Sequence, residues 1–517
     1  MVIIAAVLYA AATAVLLVFG LNLLWLTWRH RAQGGLQASP VVPEPTEWPH
    51  VTIQLPLFNE RFVVERLIDA TAQLDYPTGR LEIQVLDDST DDTRRLAAKR
   101  VALWQARGID IKVVTRPDRR GFKAGALAYG LPRARGTFVA IFDADFIPPR
   151  DFLRRTVPLL AADEGLGLVQ ARWDHLNDTA SVLTRVQAAL LDTHFVIEQD
   201  VRSTQGLLMN FNGTAGLWRR ACIADAGGWQ SDTLTEDLDL SYRAQLRGWR
   251  FRYLADVTVP AEIPDTVAAW RQQQFRWTKG TAETARKLLR PLWRSSQALG
   301  AKVQGTLHLT GFLVYPAILT AVLLHAPLLV ARAFDAGPGD GYFAAMGLGI
   351  FAFAGVLLAH AAAQRALYTD WKERMRYEPF LLAASLGLSI GNTQAVGQAL
   401  RQRRTPFVRT PKVGEAGVRT AYARRPDWGV VWAERLLAVY SVAGLVALIG
   451  LGQWPGVGFQ ALFVLGFGLL GFYDARKTGA HEALEPVRPR PVGRLPERAA
   501  VPPAVPVPMD VHTPAAA

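Results

Sequence analysis

The stretch Thr137-Phe138-Val139-Ala140-Ile141-Phe142-Asp143-Ala144-Asp145 decides the fold. Six residues of β-type character end abruptly in two carboxylates. Upstream, the same grammar repeats. Val51 to Leu55, Glu82 to Leu86 and Ile109 to Val114 read as strands. Helical patterns separate them, at about Glu60–Gln73, Asp92–Arg107 and Lys123–Ala134. Strands alternating with helices imply a parallel sheet covered by helices. In such sheets ligands sit beyond the carboxyl ends of the strands, near a topological switch point. Asp87-Asp88-Ser89 follows the second strand and Asp143-Ala144-Asp145 the fourth, so both acidic clusters should share one sheet edge. After the first strand stands Leu55-Pro56-Leu57-Phe58-Asn59-Glu60 rather than GxGxxG, which argues against a nicotinamide or flavin domain. The chain also lacks GxxxxGK[ST], which excludes a P-loop enzyme.

Around this block the 517-residue chain changes character. Its mean hydropathy of +0.12 averages two unlike parts. Val2 through Thr27 carries no charge and ends at Trp28-Arg29-His30-Arg31. That is long enough to cross ~30 Å of hydrocarbon. A cleaved signal peptide would want a basic start and a shorter apolar core, so a membrane anchor over 1–28 is expected. From Arg29 to about Ala301 no comparable run occurs. Apolar blocks then return at 304–331, 342–363, 429–451 and 455–473, with a shorter one at 379–391. The 365–376 and 401–425 connections are rich in Arg and Lys and suit the inner side, whereas 332–341 holds Asp335 and Asp340 and suits the outside. With both basic loops inside, 379–391 would be interfacial or re-entrant, leaving five spans; six is the alternative. The expected organisation is thus an anchor at 1–28, an inner-face α/β domain at 29–265, an interfacial helix at 266–300, spans and a basic loop over 301–475, and a Pro-rich disordered tail from 476.

The net charge of +12 then belongs mainly to membrane-proximal loops beside anionic lipid. No basic stripe in the soluble part points to nucleic acid. The lone Cys222 cannot form an internal disulfide and fits a reducing compartment.

Three constellations carry possible chemistry. Asp143-x-Asp145 offers hard oxygen ligands for Mg²⁺ or Mn²⁺ beside phosphates; it equally fits a capping pair before a helix started by Pro148-Pro149. In Thr235-Glu236-Asp237 the last carboxylate suits a general base, although Thr235 could simply cap a helix with acids in its first turn. Gln273-x-x-Arg276-Trp277 combines a diphosphate-binding guanidinium, an amide and a ring face for a sugar. The same residues fit an amphipathic helix at the headgroup level, and the two readings are compatible. Phe407-x-Arg409-Thr410-x-Lys412 is either a positive-inside turn or a mobile phosphate contact.

Taken in order, Asp87/Asp88, Asp143-Ala144-Asp145, Thr235-Glu236-Asp237 and Gln273-x-x-Arg276-Trp277, followed by spans, resemble the processive membrane-embedded family 2 glycosyltransferases, namely cellulose, mannan and hyaluronan synthases. The resemblance covers about 48–300 by motif. Gly121-Phe-Lys123-Ala-Gly is similar to the family's KAG segment. Val169-Gln-Ala-Arg-Trp173 and Phe211-Asn-Gly-Thr-Ala-Gly-Leu-Trp218 resemble mannan- and glucan-type synthases more than cellulose synthase. Phe407-x-x-Thr410-x-Lys412 resembles a gating loop, with Arg409 in place of a valine. Nothing similar to a cyclic-di-GMP-binding module follows the spans.

The resemblance implies a nucleotide-sugar-binding, mixed but mostly parallel GT-A-type sheet joined to an α-helical transmembrane region. It implies that Asp87 and Asp88 contact the nucleoside, that Asp143 and Asp145 hold Mg²⁺ or Mn²⁺, and that Lys123 lies near the diphosphate. Gln273 and Arg276 would bind that diphosphate, Trp277 and Trp218 would serve the sugar, and Thr410 and Lys412 the mobile loop. Asp237, with Glu236 beside it, would deprotonate the acceptor. The expected activity is inverting hexose transfer from GDP-mannose or UDP-glucose to a growing β-linked, β-1,4 glycan exported across a plasma or inner membrane. A single transfer to a lipid acceptor is the alternative among enzymes, and a transporter or scaffold the alternative outside them.

Overall fold

The computed structural model describes residues 1–403 and 427–477, with side chains as far as 472 in the last helix. A long helix, α1 (Val2–Ala32), precedes the α/β domain. The domain then runs β1 (Val51–Leu57), α2 (Val64–Ala72), β2 (Leu81–Asp87), α3 (Thr93–Gln105), β3 (Ile111–Val114), α4 (Phe122–Gly130) and β4 (Phe138–Ile141). Its second half is α5 (Phe152–Ala162), β5 (Leu166–His175), α6 (Val182–Thr193), α7 (Asp200–Thr204), β6 (Gly216–Arg219), α8 (Arg220–Asp225), α9 (Glu236–Leu246) and β7 (Arg250–Ala261).

Among the described residues, seven strands form one sheet in the order β3-β2-β1-β4-β6-β5-β7. β1 lies between β2 and β4, parallel to both, with Ile53 opposite Ile83 on one side and Ala140 on the other. β6 enters antiparallel between β4 and β5, and β7 pairs parallel with β5. The sheet is therefore mixed and mostly parallel. Helices cover both faces, so the polar residues that alternate with the apolar ones in β1 and β2 are buried too and pair across the strands: Thr52 Oγ1 donates to Glu82 at 2.6 Å and Gln54 Nε2 to Gln84 at 3.0 Å. Val51, Ile53 and Leu55 pack with Leu67 and Ile68 of α2 on one face. Leu86, Val139 and Ile141 pack with Leu127 of α4 and Trp218 of β6 on the other. Leu57 pairs with Asp87, so β1 and β2 end together. The chain reverses direction across the sheet between β1 and β4, and the acids after β2 and β4 lie at that switch point.

The amphipathic helix α10 (Val267–Arg294) follows. The remaining helices are α11 (Leu299–Thr310), α12 (Val314–Ala333), α13 (Asp340–Met346), α14 (Ile350–Leu367), α15 (Trp371–Arg374), α16 (Glu378–Gly387), α17 (Ser389–Leu400), α18 (Trp428–Gly450) and α19 (Trp454–Lys477). Six stretches among the described residues are long and apolar enough to cross a membrane: Val2–Ala32, Leu299–Ala333, Asp340–Leu367, Trp371–Leu400, Trp428–Gly450 and Trp454–Phe472. The fourth corrects the expectation that 379–391 is too short, because flanking turns extend it at both ends. It is nevertheless interrupted at Leu388. Its first half packs mainly against α19 and also against α6 of the α/β domain, its second half against α10 and α12. Small residues bring α1 and α14 into backbone contact: a Cβ on Gly355 would lie 2.3 Å from the Gly20 carbonyl oxygen.

Candidate active site

At the switch point a pocket of about 220 Å³ opens. Asp88, Lys123, Asp143 and Asp145 line it from the first half of the domain; Glu236, Asp237, Gln273, Arg276 and Trp277 line it from α9 and α10. Residues separated by up to 189 positions thus share one cavity, and its geometry follows from local causes.

Lys123 enters from the first turn of α4. Its ammonium lies 2.5 Å from Asp143 Oδ1 and donates to the Gly213 carbonyl at 2.9 Å. Gly213 has a φ of +86°, and a Cβ there would sit 2.9 Å from Asp237 Oδ2. Only glycine leaves both the conformation and the space. The Asp143 amide donates to Thr214 Oγ1 at 2.9 Å, which ties the Asp143-x-Asp145 turn to the same segment. The helix after that turn begins only at Phe152, so the Asp pair caps nothing.

Asp237 stands in the first turn of α9, where its Oδ1 accepts from the Leu238 amide at 2.8 Å. Thr235 precedes this helix without capping it. Its hydroxyl instead meets Thr284 Oγ1 of α10 at 3.2 Å. Gly280 of α10 packs directly on Thr235, and this contact delivers Gln273, Arg276 and Trp277 to the pocket.

Electrostatics follow from crowding four charged groups out of water. Burial, and then the Glu236 carboxylate, push Asp237 up to about 7, against the pull of Lys123. Burial also raises Glu236, with Lys123 opposing. For Lys123, burial favours the neutral amine, but Asp143, Glu236 and Asp237 outweigh it and hold the ammonium above its ordinary value. Burial lowers Arg276 to about 10, so it stays a cation near neutral pH. An acid poised near neutrality beside fixed cations is the electrostatic signature of a proton-transfer site.

Two expected positions do not reach the pocket. Trp218 is wholly buried on β6, edge-on to Phe211, Trp229 and Phe251. It fills the core and cannot stack on a sugar. Asp87 is 2% exposed and absent from the pocket wall. Its Oδ1 accepts from the Ser89 amide at 2.9 Å, shaping the turn behind Asp88. Asp88 does line the pocket, but Arg116 grips both its oxygens, at 2.8 Å from Nε and 2.5 Å from Nη2. Thr410 and Lys412 lie outside the described residues.

Several wall residues escaped sequence reasoning. Arg119 stacks over Phe58, with the guanidinium carbon 3.3 Å from the ring centroid. Asp174 and His175 close the far wall at the end of β5. His175 Nε2 lies 2.9 Å from Asp192 Oδ1, and Gln364 of α14 donates to the other Asp192 oxygen at 3.0 Å. The only signal available was the run Val169–Trp173, which marks a strand whose end is functional.

The carboxylates of Asp143 and Asp145 are the residues that could hold a divalent cation. Among the described residues no group of three or more His, Cys, Asp or Glu side chains forms a metal cage. Two hard oxygens open to a pocket suit Mg²⁺ or Mn²⁺, which complete their shells with water and substrate phosphates. The pair fits that role.

A mixed, mostly parallel sheet with acids at its switch point defines a GT-A-type glycosyltransferase fold. Residues 49–280 match the family model described as "Glycosyltransferase like family 2". A glucomannan 4-beta-mannosyltransferase 2 from Arabidopsis thaliana is 46% identical over 256 residues, which are 49% of this chain and 48% of the relative. A glucomannan 4-beta-mannosyltransferase 1 from Oryza sativa subsp. japonica is 42% identical over 278 residues, 52% and 53% of the two chains. The chain spans about half the length of these curated relatives. A solved structure of the mannosyltransferase PcManGT from Pyrobaculum calidifontis, in complex with GDP-Man and Mn2+, is similar in fold: TM-score 0.54, 22% identity, covering 77% of this chain and all of that one.

Proposed function

We propose that the chain is an inverting β-glycan synthase that transfers mannose from GDP-mannose to a β-1,4-linked acceptor glycan. The convergence of Asp237, Lys123 and Arg276 on one pocket, in a domain 46% identical to a plant glucomannan 4-beta-mannosyltransferase, carries this reading. UDP-glucose is the second donor to consider.

In this reaction Asp237 accepts the proton of the acceptor hydroxyl while that oxygen attacks the anomeric carbon and the nucleoside diphosphate departs. One base on the attack side and no second carboxylate acting as nucleophile means a single displacement with inversion. Arg276 and Lys123 are fixed cations that offset charge building on the departing diphosphate. Gln273 adds an amide donor and Trp277 a ring face for the acceptor sugar. Asp143 and Asp145 would hold Mg²⁺ or Mn²⁺, which neutralises the diphosphate when bound. Arg116, by holding Asp88 and donating to the Phe122 carbonyl (2.8 Å), fixes the loop that presents Lys123.

The reading extends to topology. The α/β domain faces the inner side of the membrane, beside the basic connections. Successive additions would extend one polymer and export it between the spans.

The test is a donor screen on the purified full chain with Mg²⁺ or Mn²⁺. GDP-mannose should be consumed and yield a polymer degraded by endo-β-1,4-mannanase. Incorporation from UDP-glucose alone would overturn the donor assignment. A product that stops at one sugar would overturn successive addition.

A further inference from the structure

A second cavity, of about 530 Å³, lies between the apolar helices rather than in the α/β domain. Leu16, Phe19, Ile318, Phe353, Val356 and Phe463 are typical of its wall, which draws on α1, α12, α14 and α19. At the end nearest the α/β domain the wall turns polar, with Asn22, Glu198, Arg202 and His308.

Arg202 is the anomaly. It is 1% exposed. Its Nη1 makes two long contacts, to the carbonyls of Leu208 at 3.3 Å and Gln304 at 3.5 Å. Its Nε is buried with no hydrogen-bond partner. No carboxylate forms an ion pair with it among the described residues. Glu198 acts on it only from longer range and pairs with His194 at 3.7 Å. His308 is engaged too, its Nδ1 lying 2.8 Å from the Tyr242 hydroxyl. A guanidinium cannot shed its charge, and burying it without a counter-charge is costly. A buried guanidinium that lines a cavity and has no carboxylate paired with it is suited to an anionic ligand.

We propose that this cavity binds an anionic lipid, with its phosphate on Arg202 and its hydrocarbon chain between α1, α12 and α14. The planar donor fork of arginine suits a phosphate. The apolar wall suits an acyl or isoprenoid chain and offers few partners to the hydroxyls of a saccharide. The site is separate from the transfer pocket. Leu191 of α6 lines the transfer pocket while its neighbour Leu190 lines this cavity, so one helix forms the partition. The inference does not depend on which sugar is transferred.

The purified full chain, stripped of lipid, is titrated with dioleoyl phosphatidylglycerol, dioleoyl phosphatidylcholine, inorganic phosphate or mannohexaose, and binding is read by native mass spectrometry. One phosphatidylglycerol should bind, about tenfold more tightly than phosphatidylcholine. Arg202→Gln should weaken it about tenfold and Arg202→Lys less. Leu190→Trp, which fills the cavity and keeps the charge, should weaken it as well. Unchanged affinity in Arg202→Gln overturns the proposal. So does displacement by inorganic phosphate at equal concentration, which marks a free-anion site, or by mannohexaose, which marks a saccharide path. Should Arg202→Gln fail to fold, Leu190→Trp decides: binding as tight as in the unaltered protein overturns the site.

Discussion

Gly280 lies flush against Thr235. A Cβ on Gly280 would stand 2.5 Å from Thr235 Cγ2 and 2.8 Å from its backbone nitrogen, closer than real atoms approach. Together with the Thr235–Thr284 hydroxyl contact at 3.2 Å, this contact holds α10 close to the start of α9, and so Arg276 in the pocket that Asp237 lines.

Gly280→Val should therefore push α10 away from α9. The Thr235 side chain could rotate, but its backbone nitrogen, 2.8 Å away, cannot. A displacement near 1 Å at reacting groups costs on the order of 10²-fold in rate. Steady-state kinetics of GDP-mannose turnover should show that loss mainly in kcat, with the protein still folded and membrane-inserted. Turnover equal to the unaltered protein would refute the spacing argument.

Asp237→Asn should remove the base and lower kcat by about 10³-fold while nucleotide binding persists. The unaltered enzyme should lose activity as pH falls through about 7, because the carboxyl raised to that value must be ionised to take a proton. The acid limb should fall by about tenfold per unit. A flat pH–rate profile between 5 and 8 would sink the assignment.

Lys123→Met should cost about 10²-fold in kcat, the usual price of one fixed transition-state charge. It should also move the acid limb to higher pH. Lys123 lowers Asp237 at present, and without it burial and Glu236 act unopposed. An acid limb that stays in place would show that the two groups do not interact.

Stability should run against activity. The Asp237 carboxyl is raised from 3.8 to about 7 by folding, so between those values the folded chain binds more protons than the unfolded one. Stability must then fall as pH rises across that window. Asp237→Asn removes this dependence and should be the more stable protein at pH 8, with little difference at pH 4. Each kcal/mol gained would raise Tm by about 2–4 °C. An Asn variant that melts lower than the parent at pH 8 would contradict the burial argument.

Chelation should abolish transfer, and Mn²⁺ or Mg²⁺ should restore it. Asp145→Asn should raise the metal concentration needed for half-activity. Full activity in excess EDTA would remove the metal from the scheme.

Much of the first half of the domain was legible in the chain. β1 to β4 are short runs rich in β-branched and other apolar residues, separated by helical patterns, and that alternation is the signal of a parallel sheet. The acids following β2 and β4 were legible for the same reason. The second half was not. β6 threads antiparallel between β4 and β5, a pairing set by residues 138–141 and 216–219 with no local signal. Trp218 reads as a sugar platform at the end of a polar motif, yet its place on β6 turns it into the core. His175 and Asp174 went unassigned because the run Val169–Trp173 marks the strand but not which residues past it turn into the pocket. The block at 379–391 looked short because Glu378 interrupts its apolar run; folded, that carboxylate meets His360 Nδ1 at 2.6 Å and is buried.

The sequence by itself determined the division into an α/β domain and apolar helices, the parallel half of the sheet and the residue types of the site. These depend on composition and short-range periodicity, which survive in one dimension. Only the tertiary structure decided which candidates meet. Lys123 faces Asp143 because Gly213 has no side chain. Arg276 reaches the pocket that Asp237 lines because Gly280 has none either. Trp218 and Asp87 turn inward because their strands pair in one register. Such choices rest on distances of a few ångströms between segments far apart in the chain, and close packing, rather than pattern, selects among them.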